Sequence, residues 1–189
     1  MKKILLSTNP EWVAKVLNLE KDVEIRKTAP TCDLPIEVII YCTNGKYLFA
    51  PNGWNEHWWV QKYFNGEGKY NGKVVAKFTL KSVHKYDWRL VANPFFKVRG
   101  SCLSYSQLRE YATDPEGKIH DLFGWHIDDL EIFDEPKELS EFKRWKEYPS
   151  CEKCPHADDG NDTAVCENHC RELLTVKRAP ESFCYIEID

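Results

Sequence analysis

No stretch of this 189-residue chain approaches the roughly 20 consecutive apolar residues that a membrane-spanning helix requires. Met1-Lys2-Lys3 leads only into Ile4-Leu5-Leu6, too short an apolar run for a secretory signal. The expectation is a cytoplasmic protein without membrane association. Positive charge is also in short supply: 26 Lys and Arg against 30 Asp and Glu leave a net charge of -4, which argues against coating nucleic acid through bulk electrostatics. Repeats and low-complexity tracts are missing as well. What remains is an ordinary globular composition, 42% hydrophobic, 30% charged and 13% aromatic. At this length one domain over 1–189, carrying an aromatic-rich insertion at 44–72 and a cysteine-rich one at 149–172, fits better than two full domains.

The charge that is present is segregated. From Lys73 to Arg109 eight Lys or Arg face Asp87 alone, and from Glu110 to Asp162 the balance turns acidic. Such a stretch either builds a basic face for phosphates or lies along solvated strand edges.

Eight cysteines fall into two classes. Cys32, Cys42, Cys102 and Cys184 stand singly and read as buried thiols. Cys151-x2-Cys154-x11-Cys166-x3-Cys170 forms two knuckles in a segment rich in Asp, Asn and Gly. Zinc favours four tetrahedral sulfur or nitrogen ligands, and so polar a segment needs a staple to be ordered. A structural Zn2+ held by Cys151, Cys154, Cys166 and Cys170 is therefore expected, with His156 or His169 as alternatives for one ligand. Two disulfides or an iron–sulfur cluster are the competing uses; the lack of a secretory signal and the spacing weigh against them.

Periodicity places the elements. A short strand at 2–6 precedes Asn9-Pro10-Glu11, a helix-start signal, and the spacing predicts a helix over 10–19 with Trp12, Val13, Val16 and Leu17 on its core face. Val23–Arg26 reads as a strand whose Val23 and Ile25 share one face while Asp22, Glu24 and Arg26 share the other. Ile36–Cys42 reads as a buried strand and 73–83 as another, with an aromatic loop folding as hairpins between them. Ser104-x-x-Gln107 is a capping box opening a helix to about Tyr111. Strands follow at 123–127, 130–133 and 183–188, an α+β pattern suited to a small β-barrel.

The segment Leu19-Glu-Lys21-Asp-Val-Glu24-Ile-Arg26 resembles the G-x-K-x-x-E-x-R motif of ASCH domains, a branch of the PUA-like fold, with Leu19 in place of the glycine. Gly72-Lys-Val-Val-Ala-Lys-Phe78, Gly124-Trp-His-Ile127, Leu130-Glu-Ile-Phe-Asp-Glu-Pro136 and Arg178-Ala-Pro-Glu-Ser-Phe-Cys-Tyr-Ile186 resemble the same family in the same order, in the manner of bacterial and phage members. The resemblance implies a small PUA-like β-barrel with flanking helices, whose cleft binds RNA or a modified nucleotide through Lys21, Glu24 and Arg26. Lys21 and Arg26 suit a phosphate or base carbonyl, Glu24 an exocyclic amine, Trp125 a stacked base, and His126 a neutral-pH hydrogen bond.

Some relatives resemble N4-acetylcytidine amidohydrolases or ribonucleases, which implies a second reading with Lys21 and Glu24 as catalytic residues. The amidohydrolase scheme expects a hydroxyl nucleophile where this chain has Glu24, and a carboxylate serves instead as base for a water. A third reading is a protein-interaction module docking through the zinc knuckle and the acidic half. The same trio can also serve as an ion-pair network pinning the first helix. Elemental analysis of the purified protein should find zinc; absence of zinc, with free thiols also absent under reducing conditions, overturns the metal assignment.

Overall fold

A computed structural model describes residues 2–44, 47–51, 58–62, 70–147 and 171–187. The expected strand at the start is β1 (Lys2–Thr8), followed by α1 (Pro10–Leu17), β2 (Val23–Arg26) and β3 (Ile36–Cys42). The aromatic insertion contributes a hairpin of β4 (Tyr47–Pro51) and β5 (Trp58–Lys62). Where the hydrophobic pattern predicts one strand over 73–83 there are two, β6 (Lys73–Leu80) and β7 (Val83–Tyr86), because the chain leaves one sheet for another at Lys81-Ser82.

A short helix, α2 (Trp88–Val91), is capped by the Asp87 side chain, and α3 (Tyr105–Ala112) opens on the Ser104–Gln107 capping box. The remaining strands are β8 (Leu122–His126), β9 (Asp128–Lys137), β10 (Lys143–Glu147), β11 (Arg171–Thr175) and β12 (Phe183–Glu187).

The strands pair into a seven-stranded sheet, β11-β10-β12-β1-β3-β6-β9, a three-stranded sheet, β2-β8-β7, and the β4-β5 hairpin. β1 and β3 run parallel and their other pairings are antiparallel. Period-two alternation sorts the side chains of the large sheet. Ile4, Leu6, Val38, Ile40, Phe78 and Leu80 join α1 and Trp125 in the main core between the two larger sheets. Leu5, Ile39, Tyr41 and Ile186 lie in a second core with Phe142 and Val176. On the three-stranded sheet Val23, Ile25 and Leu122 pack against Val91, Val98, Leu108 and Ala112. Trp58 belongs to the main core: Asn18 brackets its backbone, donating from Nδ2 to the Trp58 carbonyl (2.8 Å) and accepting its N–H on Oδ1 (2.7 Å).

Among the four single cysteines, Cys42 is buried, with its thiol pushed up to about 12 by desolvation, and Cys32 and Cys184 are partly buried. Cys102 departs from the expected burial: it is exposed, on a turn with φ of 59°. Among the described helices none is long and apolar enough to cross a membrane.

α1 stops two residues earlier than its periodicity suggests, and the backbone shows why. The Glu20 N–H donates to the Lys15 carbonyl (2.9 Å) and the Leu19 N–H to the Val16 carbonyl (3.0 Å), a Schellman termination. That motif requires left-handed backbone at the residue after the cap, and Leu19 has φ of 59° while its side chain is 78% exposed. Leu19 occupies the position where the motif it resembles carries glycine.

A leucine held there loses about 1–2 kcal/mol to the clash of its Cβ with the following carbonyl, whereas glycine loses only about 0.5–1 kcal/mol of backbone entropy. Leu19→Gly is expected to raise stability by up to about 1 kcal/mol, read as a higher urea midpoint with an unchanged slope.

Candidate functional site

Six short segments converge on one cavity of about 590 Å³. The end of β1 supplies Ser7 and Thr8, the start of α1 Asn9 and Trp12, and the loop and strand after α1 Lys21, Glu24, Arg26 and Lys27. Thr43 follows β3, Leu103, Gln107, Glu110 and Tyr111 come from the α3 side, and Glu181 and Ser182 precede β12.

The alternation of β2 explains how its charges arrive there. The side chains of Val23 and Ile25 pack in the α2–α3 core, which turns Glu24 and Arg26 to the other face, although Ile25 also borders the cavity. Gly100 (φ +78°) lets the loop before α3 approach closely, since a Cβ there would run into the Asp22 carboxyl. The Gly100 carbonyl accepts the N–H groups of Asp22 (3.0 Å) and Val23 (3.2 Å), and the neighbouring Ser101 carbonyl thereby reaches Lys21.

Lys21, Glu24 and Arg26 form one buried network, with side chains 2 to 9% exposed. Lys21 Nζ donates to the carbonyls of Val23 and Ser101, both at 2.8 Å, and lies 3.3 Å from Glu24 Oε2. Arg26 Nη2 forms an ion pair with Glu24 Oε1 (2.8 Å) and donates to the Ser7 carbonyl (2.8 Å), with Thr8 Oγ1 at 3.3 Å. Arg26 Nη1 has Ser182 Oγ at 3.3 Å, while its Nε and the Ser7 hydroxyl are buried without a hydrogen-bond partner.

Each Lys21 donor and each Glu24 oxygen is therefore engaged, and Arg26 alone retains donor capacity. Two cations around one carboxylate leave the buried wall positive; Lys27, Glu110 and Glu181 add charges of both signs. Tyr111, under the Lys27 ammonium (5.2 Å to the ring centre), has its phenol pushed up chiefly by burial, with Arg26 pulling it down and Glu24 pushing it up. It stays protonated at neutral pH and can donate.

The structure thus brings Lys21, Glu24 and Arg26 together but places the other two expected site residues elsewhere. Trp125 is fully buried in the main core, donating from Nε1 to the Thr28 carbonyl (3.2 Å) and packing edge-on against Phe183. It pairs with Glu24 across β2–β8 and does not line the cavity. His126 pairs with Val23, so it shares the opposite face of that sheet and is absent from the lining.

The rings that do line the cavity are Trp12 and Tyr111. Trp12 looked like core because it falls on the apolar stripe of α1. Leu103, Gln107, Glu110 and Tyr111 follow helical spacing, a signal available once the capping box had placed α3.

The basic stretch is largely neutralised by the acidic half. Lys73 pairs with Glu138, Lys77 with Glu131 (3.1 Å) and Glu37 (3.6 Å), Lys81 with Asp129 (2.8 Å), and Lys85 with Asp121 (2.7 Å). The charge segregation is in good part the signature of cross-strand pairing between β6 or β7 and later segments. Cys151, Cys154, Cys166, Cys170, His156 and His169 lie outside the described residues, and among the described residues no group of three His, Cys, Asp or Glu is arranged to hold a metal.

By overall structure the chain is similar to the crystal structure of a variant of an ASCH protein from Zymomonas mobilis, with a TM-score of 0.54 at 15% identity over 99% of this chain and 91% of that one. It is also similar to an ASCH structure from Zymomonas mobilis, with a TM-score of 0.53 at 15% identity over 98% of this chain and 87% of that one. No family model and no curated protein matches the chain. The likeness establishes the fold as α+β of the ASCH, PUA-like type, in agreement with the order of motifs along the sequence.

Removing the shared carboxylate should expose the cost of the network. Glu24→Gln leaves two buried cations facing a neutral amide and is expected to cost about 3–5 kcal/mol, the usual penalty for breaking a buried pair. Urea unfolding at neutral pH measures it; a change below about 1 kcal/mol, the level of an exposed pair, means the trio is solvated.

Proposed function

We propose that the cavity binds a nucleotide, free or within RNA. The observation that carries this reading is the buried, net-positive Lys21–Glu24–Arg26 wall with unspent Arg26 donors, in a cavity also lined by Trp12 and Tyr111. Its volume of about 590 Å³ is in the range of small-molecule sites. In this reading Arg26 donates to an acceptor of the ligand, Glu24 fixes the orientation of both cations, and Lys21 positions Glu24. Trp12 and Tyr111 offer ring faces to the base, the task first assigned to Trp125, which instead backs Glu24 from across the strand pair.

Binding is favoured over hydrolysis by the same contacts. A catalytic Lys21 or Glu24 would have to abandon bonds that now satisfy it, and no hydroxyl nucleophile occupies position 24.

The proposal extends to zinc. β10 and β11 form an antiparallel ladder in which Glu147 and Arg171 are direct partners. The segment carrying Cys151, Cys154, Cys166 and Cys170 therefore leaves and rejoins the fold at one point, which suits a metal-closed excursion. A reducing cytoplasm would keep those thiols available as ligands.

The test is titration of the purified protein with RNA oligonucleotides and with acetylated and unmodified nucleosides, following binding and product formation together. Saturable binding without product is expected. Trp12→Ala should weaken it by about 1–3 kcal/mol, the value of one base–aromatic stack. Turnover that disappears in Lys21→Ala would establish the hydrolase reading, and silence in every titration would move the assignment to a protein partner.

A further inference from the structure

We infer that the end of the cavity formed by Arg26, Asn9 and Ser182 is a phosphate subsite, so that the pocket takes its ligand through a phosphate and not through the base alone. The inference rests on the nucleotide reading above and deepens it.

Four observations meet at this corner. Arg26 is 7% exposed, its Nε has no hydrogen-bond partner, and its Nη1 has only Ser182 Oγ at the long distance of 3.3 Å. Buried donors are rarely left unpaired in folded proteins, and guanidinium is the side chain best matched to phosphate oxygens. The second observation is the start of α1. Asn9, its N-cap, makes no capping hydrogen bond; its Oδ1 instead lies 3.2 Å from the Thr43 hydroxyl. The first turn of an eight-residue helix therefore opens beside the cavity without a side-chain cap; Pro10 has no N–H and those of Trp12 and Val13 bond to the Asn9 carbonyl, so the turn adds a weak dipole field, opposed by Glu11, and leaves the holding of an anion to Arg26.

Third, the other polar groups here are hydroxyls. Ser182 and Thr8 flank Arg26, and the Ser7 hydroxyl is buried with no partner. Fourth, the buried trio carries one positive charge in excess, which an anion would balance. Glu110 and Glu181 also line the cavity, and Glu181 adjoins Ser182, so Arg26 must outweigh its repulsion at this corner.

Lys21 is not the phosphate ligand in this arrangement. Its contacts to Val23, Ser101 and Glu24 account for the donors of an ammonium group, so its charge acts through Glu24. The phosphate can be a terminal 5′-monophosphate or the diester within an RNA strand, and the two differ in charge but share the oxygens Arg26 would hold.

The experiment is calorimetric titration of the full chain with the four common nucleosides, their 5′-monophosphates, a dinucleotide carrying a diester only, and inorganic phosphate. At least one phosphate-bearing ligand is expected to bind tenfold or more tightly than its nucleoside. Whichever of monophosphate and diester gains more identifies the source of the phosphate.

Two variants locate the effect. Arg26→Lys keeps the charge but removes the guanidinium donors. Asn9→Asp supplies a good helix cap, so it should fold at least as well as the parent, while placing a negative charge in the subsite. Both should remove most of the phosphate advantage, and Asn9→Asp keeps the test decisive if Arg26→Lys fails to fold.

Nucleosides binding as tightly as their phosphates would overturn the subsite and leave the nucleotide pocket standing, as would an advantage that survives Asn9→Asp. No binding by nucleosides, nucleotides or RNA would overturn the pocket and the subsite together.

Discussion

Glu24 sits between Lys21 and Arg26, and the geometry around the cavity depends on that carboxylate. Through Lys21 it is coupled to the carbonyls of Val23 and Ser101, and hence to the loop that leads into α3. Through Arg26 it is coupled to the end of β1 at Ser7 and to Ser182 before β12. Segments more than 150 residues apart in sequence are thus tied by two side chains of one four-residue strand. Neither cation is tolerable in that environment without the shared anion.

The apolar layers make this arrangement affordable. The centre of the large sheet, β1, β3 and β6, is covered on both faces, and the three-stranded sheet is covered on the face bearing Val23, Ile25 and Leu122. Its other face carries Trp125 and Phe123, which join the main core, beside their cross-strand partners Glu24 and Arg26, which line the cavity. Electrostatics elsewhere follow a different rule. The lysines of β6, β7 and the turn between them meet carboxylates at exposed or half-exposed positions, where each pair contributes little to stability. What those pairs do is offset the positive charge of the first half of the basic stretch, Lys73 to Lys85.

Much of this was legible in the chain because it follows short-range rules. Asn9-Pro10 starts α1, Ser104-x-x-Gln107 starts α3, and alternation in Val23–Arg26 separates the apolar from the polar pair, while Lys21 joins Glu24 and Arg26 only through the resemblance of 19–26 to the ASCH motif. The missed features depend on long-range packing. Periodicity cannot tell a tryptophan on the inward stripe of α1 that borders a cavity from one that fills a core, nor tell that Trp125 would be sealed by Phe183 and the sheet behind it. The sheet change between β6 and β7 was hidden because the apolar pattern runs on across it. β10 was hidden because its side chains are mostly exposed, and β11 because its partly buried Leu173 and Leu174 are adjacent and show no alternation.

The retention of charge in the trio bears on what the cavity is for. Well-packed apolar residues of similar volume commonly match or exceed a buried ion-pair network in stability. A hydrophobic trio could therefore hold α1, β1 and the α3 loop together, and it would leave neither Arg26 Nε nor the Ser7 hydroxyl unpaired. It would also give the cavity an apolar wall with no donor for an oxygen. The observed set does the reverse: Lys21 and Glu24 are fully engaged, while the remaining imbalance of charge and donors is gathered on Arg26. A network serving only to pin the helix has no need of that asymmetry. A wall that must meet an oxyanion does.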